Sequence, residues 1–183
     1  VKKELGFTPK ANMESPDTII YLFINNKKVY LGIDLVGRNL SKRQYRIFSS
    51  AGIINANLSY ALVRLGGYSK KKNIVDVFSK TGIVSIEEAL FVSRISINNY
   101  AKEFAFKKLK PFQEHEWGEI FDAFDSKADK KTKLKILGLD PLLKHVEAGK
   151  KNAKLAGVDK IIDFSKMDVE WLDTKLDKAS IDI

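Results

Sequence analysis

Three aspartates end or follow strand-like segments: Asp76, within the turn-forming "DVF" of the short strand "NIVDVF", Asp140 after "ILGL" and Asp168 after "IIDFSKM". A carboxylate at a strand end can accept both hydroxyls of a ribose, and a later one can accept an amine of the base. The trio therefore points to a nucleoside-type ligand. Other chemistries have less footing. The turn "VFSKTG" after Asp76 offers neither the Gly-x-Gly-x-x-Gly of a dinucleotide site nor a Walker phosphate loop. His115 and His145 stand alone and there is no cysteine, so no metal-ligand set is spaced for binding. Nothing resembles the glycine-flanked serine of a nucleophile elbow.

The elements that must position these acids follow from periodicity. Around Asp76 the chain changes from a β-rich run to a helical pattern over 83–92, with Ile83, Ile86 and Leu90 on the inner side and Glu87 and Glu88 outside or at the edge. A strand over 135–139 ends in Asp140, and a helix follows over about 142–155 with Gly157 as its stop. "KIIDF" is a third strand and "KASIDI" the opening of a fourth. Strands alternating with helices predict an α/β parallel sheet with helices on both faces, whose ligand sits at the carboxyl ends of the strands. Upstream, Leu58, Ala61, Leu62 and Leu65 mark one face of a helix that stops at Gly66 and Gly67. Earlier still, β-rich segments over 18–23 and 29–35 flank Asn25-Asn26, a hairpin signal, with Asp34 on the polar side. The stretch between Arg94 and Lys133 is too long for a simple α/β loop; its Trp117, Ile120, Phe121 and Phe124 have helical spacing, read first as core packing and second as a base-stacking platform.

Lysine and arginine outnumber aspartate and glutamate by 32 to 23, a net charge of +9 that favours a polyanionic partner. The lysines are spread along the chain, at 27–28, 70–72, 107–110 and 127–135. The link "GRNLSKRQYR" sets Arg38, Lys42, Arg43 and Arg46 around Tyr45, either as an exposed connector or as an RNA-facing loop. No apolar run approaches the roughly 20 residues of a membrane span, and no secretory leader is visible, so the expected location is cytoplasmic.

The sequence resembles the THUMP-associated class I methyltransferases, S-adenosylmethionine-dependent enzymes that modify guanine in tRNA or ribosomal RNA. The likeness rests on Gly32-Ile33-Asp34, on Arg43-Gln44-Tyr45-Arg46, on "AGIINANLSYALVRLGGY", and above all on "GLDPLLKHVEAGKKNAKLAGV" with its Asn152 to Gly157. It implies a Rossmann-like class I methyltransferase sheet over 47–183, preceded over 1–46 by a hairpin and linker from a THUMP-type segment. By that resemblance Asp140 holds the ribose of S-adenosylmethionine, Asp168 meets the adenine amine, and Glu87 approaches the cofactor's amino group. Asp76, Phe78 and Gly82 match the first motif, with Thr81 in the same cofactor-binding turn, while Arg38, Lys42, Arg43 and Arg46 face RNA.

The family's first motif usually reads Asp-Pro-Phe-Cys-Gly-Ser-Gly-Thr, and this chain departs from it at Val77, Ser79, Lys80, Thr81 and Ile83. A left-handed lysine in place of glycine costs on the order of 1–2 kcal/mol, and its cation would repel the cofactor's sulfonium unless it turned to solvent or paired with the cofactor's carboxylate. The family's Asn-Pro-Pro-Tyr would fall just past Ile183, so the resemblance implies a piece of a longer protein. Two readings follow: guanine methylation, or an inactive relative kept as an RNA-binding or assembly module.

Overall fold

The computed structural model describes residues 2–8, 10–67, 73–129, 134–178 and 180–182. The chain divides into Val1–Asn39 with Glu103–Glu116, and Leu40–Lys102 with Trp117–Ile183. Lysines 70–72 and residues 130–133 of the basic clusters lie outside the described residues.

In the first unit a single helical turn, α1 (Lys2–Leu5), precedes the hairpin of β1 (Ile20–Asn25) and β2 (Lys28–Ile33). The strands are antiparallel, Ile20 opposite Ile33 and Asn25 opposite Lys28. Asn26 takes the left-handed angle the turn demands, φ +53°. Every ribbon residue is exposed, so large side chains such as Phe23 and Leu31 cover no described core. Asp34 serves the turn that follows, its Oδ1 accepting the N–H groups of Val36 and Gly37 at 2.9 and 3.0 Å. Residues 103–116 return here as two short 3-10 turns, tied by Ala105 N–H to Val36 and Phe106 N–H to Leu35.

The second unit is built on three parallel strands in the order β3 (Ile74–Asp76), β4 (Ile136–Asp140), β5 (Ile162–Lys166). Ile74 is level with Ile136, and Ile136 with Ile162. Four helices join them: α2 (Ala56–Leu65), α3 (Ile83–Ser93), α4 (Trp117–Asp125) and α5 (Leu143–Ala156). The core lies where α3 and α5 meet β4 and β5, with Ile86, Leu90, Ile136, Val146, Ala153 and Phe164 all buried. Gly157 ends α5 at φ +73°, as its sequence position predicts.

Several expectations need correction. In α2 the buried side is Ala56, Ser59 and Val63, while Leu58, Leu62 and Leu65 stand exposed. That side packs on α3, with Val63 in one cluster with Val92 and Tyr60 edge-on to Phe91. Glu87 and Glu88 of α3 are buried rather than peripheral. No residue of α4 is buried, so its aromatic spacing marks a half-covered helix and not a core element. At the carboxyl end the opening of a fourth strand is not formed among residues 180–182, although Asp182 N–H reaches Asn73 O at 3.0 Å along β3; residues 179 and 183 are outside the described residues.

Candidate functional site

The turn from Asp76 to Gly82 is fixed by backbone bonds to the end of β4. Ser79 N–H donates to Leu139 O at 2.8 Å, Lys80 N–H to Asp140 Oδ2 at 3.0 Å, and Gly82 N–H closes the turn on Ser79 O at 2.7 Å. Gly82 has φ +81°, and a Cβ placed there would lie 2.5 Å from the Phe164 ring. Gly138 and Gly149 abut the same ring, at 2.6 and 3.0 Å from their would-be Cβ atoms. Three glycines thus cradle Phe164, which fastens the turn to β4, β5 and α5. Gly82→Ala is expected to lower stability by about 2 kcal/mol, from overpacking plus a left-handed non-glycine, as read by chemical denaturation; an unchanged midpoint would refute the cradle.

Lys80 takes the left-handed conformation, φ +46°. Its ammonium reaches the chain itself: Nζ donates to Gly52 O at 2.9 Å and Ala51 O at 3.3 Å. Asn152 makes a second tie. Fully buried on α5, its amide nitrogen donates to Phe48 O at 2.8 Å and Thr81 O at 3.1 Å, and its oxygen accepts Phe48 N–H at 3.1 Å. The segment before α2 is therefore held to the turn at both of its ends. The sequence shows Asn152 only as part of "NAKLAG"; its signal is an asparagine, a poor helix former, set beside the small Ala153 and Ala156.

Asp140 is 3% exposed, at the end of β4 beside the turn. Its Oδ1 accepts Leu142 N–H and faces His145 Nδ1, both at 2.9 Å, so His145 is not the isolated histidine it looks in sequence. Asp76 accepts from Ser85 Oγ at 3.0 Å, and burial raises its carboxyl above the usual range. Glu88, one of the residues sequence reasoning placed outside, is pushed up to about 8 by burial and by the charge of Asp76. Its Oε2 has no hydrogen-bond partner. Asp76 and Glu88 line a cleft of about 310 Å³ whose other walls, including Leu62, Val63, Ile74 and Val84, are mostly apolar. Phe78 is 60% exposed on the turn. Asp168 is exposed past β5, where its Oδ1 caps the 3-10 turn Val169–Thr174 through Glu170 N–H at 3.5 Å, and no bond joins it to Asp76 or Asp140. Around the turn, the hydroxyls of Ser79, Thr81 and Ser50 are buried and lack a partner.

Residues 43–183 match the family described as UPF0020, RMKL-like methyltransferase domain. The chain belongs to that family. The ribosomal RNA large subunit methyltransferase K/L of Vibrio parahaemolyticus is 28% identical over 164 residues, which are 88% of this chain and 23% of that protein. The tRNA (guanine(6)-N2)-methyltransferase of Archaeoglobus fulgidus is 27% identical over 160 residues, 87% of this chain and 37% of the other. The chain thus spans between about a quarter and two fifths of these relatives. The solved structure of SMU.472, complexed with S-adenosylhomocysteine, superposes with a TM-score of 0.74 at 25% identity, over 89% of this chain and 41% of that one. The fold is that of a class I methyltransferase.

In this methyltransferase domain the family match opens at Arg43, and that residue has an interior place. Arg43 Nε and Nη2 donate to Glu87 Oε1 and Oε2 at 2.7 and 2.9 Å, and Nη1 reaches Leu40 O and Asn57 Oδ1. Tyr45 Oη donates to Glu87 Oε1 at 2.7 Å, and burial together with the charge of Glu87 pushes the Tyr45 hydroxyl's ionisation upward. Two sequence expectations are overturned here. Arg43 does not face RNA, because its side chain is enclosed and held by Glu87, Leu40 and Asn57, and Glu87 is not open to a ligand's amino group, because its side chain is fully buried against Arg43 and Tyr45. Lys42 remains exposed and Arg46 half-exposed in the same segment. Arg38 belongs to the first unit, where it lies 4.7 Å over the Phe104 ring and donates to Glu103 O.

Among the described residues no group of three or more histidine, cysteine, aspartate or glutamate side chains is arranged to hold a metal. None of their helices is long and apolar enough to cross a membrane.

Proposed function

We propose that the chain supplies the S-adenosylmethionine-holding part of a methyltransferase acting on the exocyclic amine of a guanine in tRNA or ribosomal RNA. The observation that carries this reading is the turn docked on Asp140, with the hydroxyls of Ser79 and Thr81 buried in it and unpartnered. A buried hydroxyl without a partner forfeits on the order of 1–3 kcal/mol, which a ligand able to donate and accept would recover. The amino-acid end of S-adenosylmethionine, with one ammonium and one carboxylate, is such a ligand. Asp140 retains acceptor capacity for a ribose hydroxyl: a carboxylate has about four lone-pair positions, of which Lys80 N–H, Leu142 N–H and His145 occupy three. We assign Asp168, exposed beyond β5, to the adenine amine, and the exposed Phe78 to a contact with the ligand. When bound, the cofactor supplies a methyl group made electrophilic by the sulfonium; the chain's own part is to bind and orient.

The names of the relatives support an RNA substrate, as does the net charge of +9. Lys42, Arg46 and Arg38 are the cations we assign to RNA phosphate, with Arg43 removed from that set. We read the hairpin unit as the tail of a THUMP-type segment and the protein as cytoplasmic.

Calorimetry with S-adenosylmethionine tests the cofactor assignment. Asp140→Asn is expected to weaken binding 10- to 100-fold, because its amide nitrogen would present donors where either Lys80 N–H or Leu142 N–H already donates. No binding by the unsubstituted chain at millimolar ligand would reject the reading. The left-handed lysine favours one alternative, an RNA-binding module without a cofactor, and salt-dependent RNA binding with no S-adenosylmethionine heat would select it.

A further inference from the structure

We infer that Lys80 is a positioning residue that fastens the segment Ser50 to Gly52 against the turn, making Ser50 a third hydroxyl of the cofactor cradle. The inference rests on the cofactor assignment above.

A lysine in a left-handed turn is unfavourable, and this one is retained with a defined use for each of its polar groups. Its backbone N–H grips Asp140. Its ammonium reaches across to the carbonyls of Ala51 and Gly52. Asn152 ties Phe48 and Thr81 from the opposite side, so residues 48 to 52 run between two fixed points. Ser50 lies within that span with its Oγ buried and unpartnered. Ser79 and Thr81, 5% and 1% exposed, bring two more hydroxyls in the same condition from the turn. The segment held at Phe48 and at Ala51–Gly52, and the turn it is held to, thus carry three buried hydroxyls that the protein itself leaves unsatisfied. Each can donate one hydrogen bond and accept others, the match for a zwitterionic amino-acid group rather than for a phosphate, which would call for cationic and N–H donors.

The direction of the ammonium also settles how the domain tolerates a cation in this turn. Nζ is spent on two carbonyl oxygens, so its charge is offset where it stands and does not confront a sulfonium. Removing it should then affect S-adenosylmethionine and the uncharged S-adenosylhomocysteine alike.

The test uses the full chain carrying Lys80→Met, Lys80→Arg or Ser50→Ala, with calorimetry on both ligands and amide hydrogen exchange over residues 50–54 of the ligand-free protein. Lys80→Met is expected to weaken both ligands by about the same tenfold and to speed exchange at 50–54, and Lys80→Arg to restore both. Ser50→Ala is expected to weaken both ligands about threefold to tenfold with exchange unchanged, a result that no purely structural role of Ser50 produces. Unchanged exchange in Lys80→Met overturns the fastening, whatever the ligands do. A gain in affinity for S-adenosylmethionine alone would overturn it too, by showing that the ammonium faces the sulfonium. If the unsubstituted chain binds neither ligand, the cofactor assignment and the role of Ser50 both fall, and exchange alone then decides the fastening.

Discussion

Arg43→Met is expected to lower the unfolding free energy by about 3–5 kcal/mol, the usual loss when one partner of a buried ion pair is removed. Glu87 is almost wholly enclosed, 1% exposed, and without Arg43 its carboxylate would keep only the Tyr45 hydroxyl as a partner. The carbonyl of Leu40 and the amide oxygen of Asn57 would lose a donor as well. The double variant Arg43→Met with Glu87→Gln should be more stable than Arg43→Met alone, because the neutral amide removes the stranded charge and still accepts from Tyr45. Urea denaturation of the four proteins gives the cycle directly. If Arg43→Met unfolds at the same denaturant concentration as the parent, the triad is a surface feature and its interior placement is mistaken.

The second large effect concerns Glu88. Its carboxyl ionises near 4.5 in an unfolded chain and near 8 in the folded one. Between those values the folded chain holds a proton that the unfolded chain has released, so stability is fully present below about pH 4.5, falls as pH rises, and has lost this contribution above about pH 8. Asp76, raised in the same direction, adds to the slope. A displacement of this size is worth on the order of 4 kcal/mol. Glu88→Gln is therefore expected to stabilise the protein by roughly 2–4 kcal/mol at pH 8.5 and by less than about 1 kcal/mol at pH 5. Denaturation at three pH values measures it. A parent whose stability is flat from pH 5 to 8.5, or a variant that gains nothing at pH 8.5, would show that Glu88 is solvated.

What could be read in the sequence was what local chemistry decides. Asn25-Asn26 sets the hairpin, and alternation of β-rich and helical runs sets β3 to β5 and their helices. The place of Asp140 at a strand end could be read in the same way, whereas the docking on it of a turn 60 residues earlier could not. What could not be read depends on which neighbour covers a face. Glu87 looks like a solvent residue until Arg43, 44 positions away, is found against it. The leucines of α2 outweigh Ala56, Ser59 and Val63 in hydrophobicity, yet the smaller set is buried, because the side that α3 covers is fixed by tertiary packing and not by the helix's own pattern. In the same way Lys80 could be seen as an intrusion, but the two carbonyls that receive its ammonium belong to a segment whose path no local pattern announces.

Asn152 has a consequence for how the domain comes into being. Its partners Phe48 and Thr81 lie 104 and 71 residues away, and Asn73 is bound to Asp182 across 109. Contacts of such high order form only after long loops have closed, and loop closure of this kind slows folding. The turn that grips Asp140 is thus among the last parts to take shape, after α5 has docked. A nascent chain that has not yet reached Asn152 lacks the tie that joins Phe48 to Thr81, and with it one of the two fastenings of residues 48–52 to the turn.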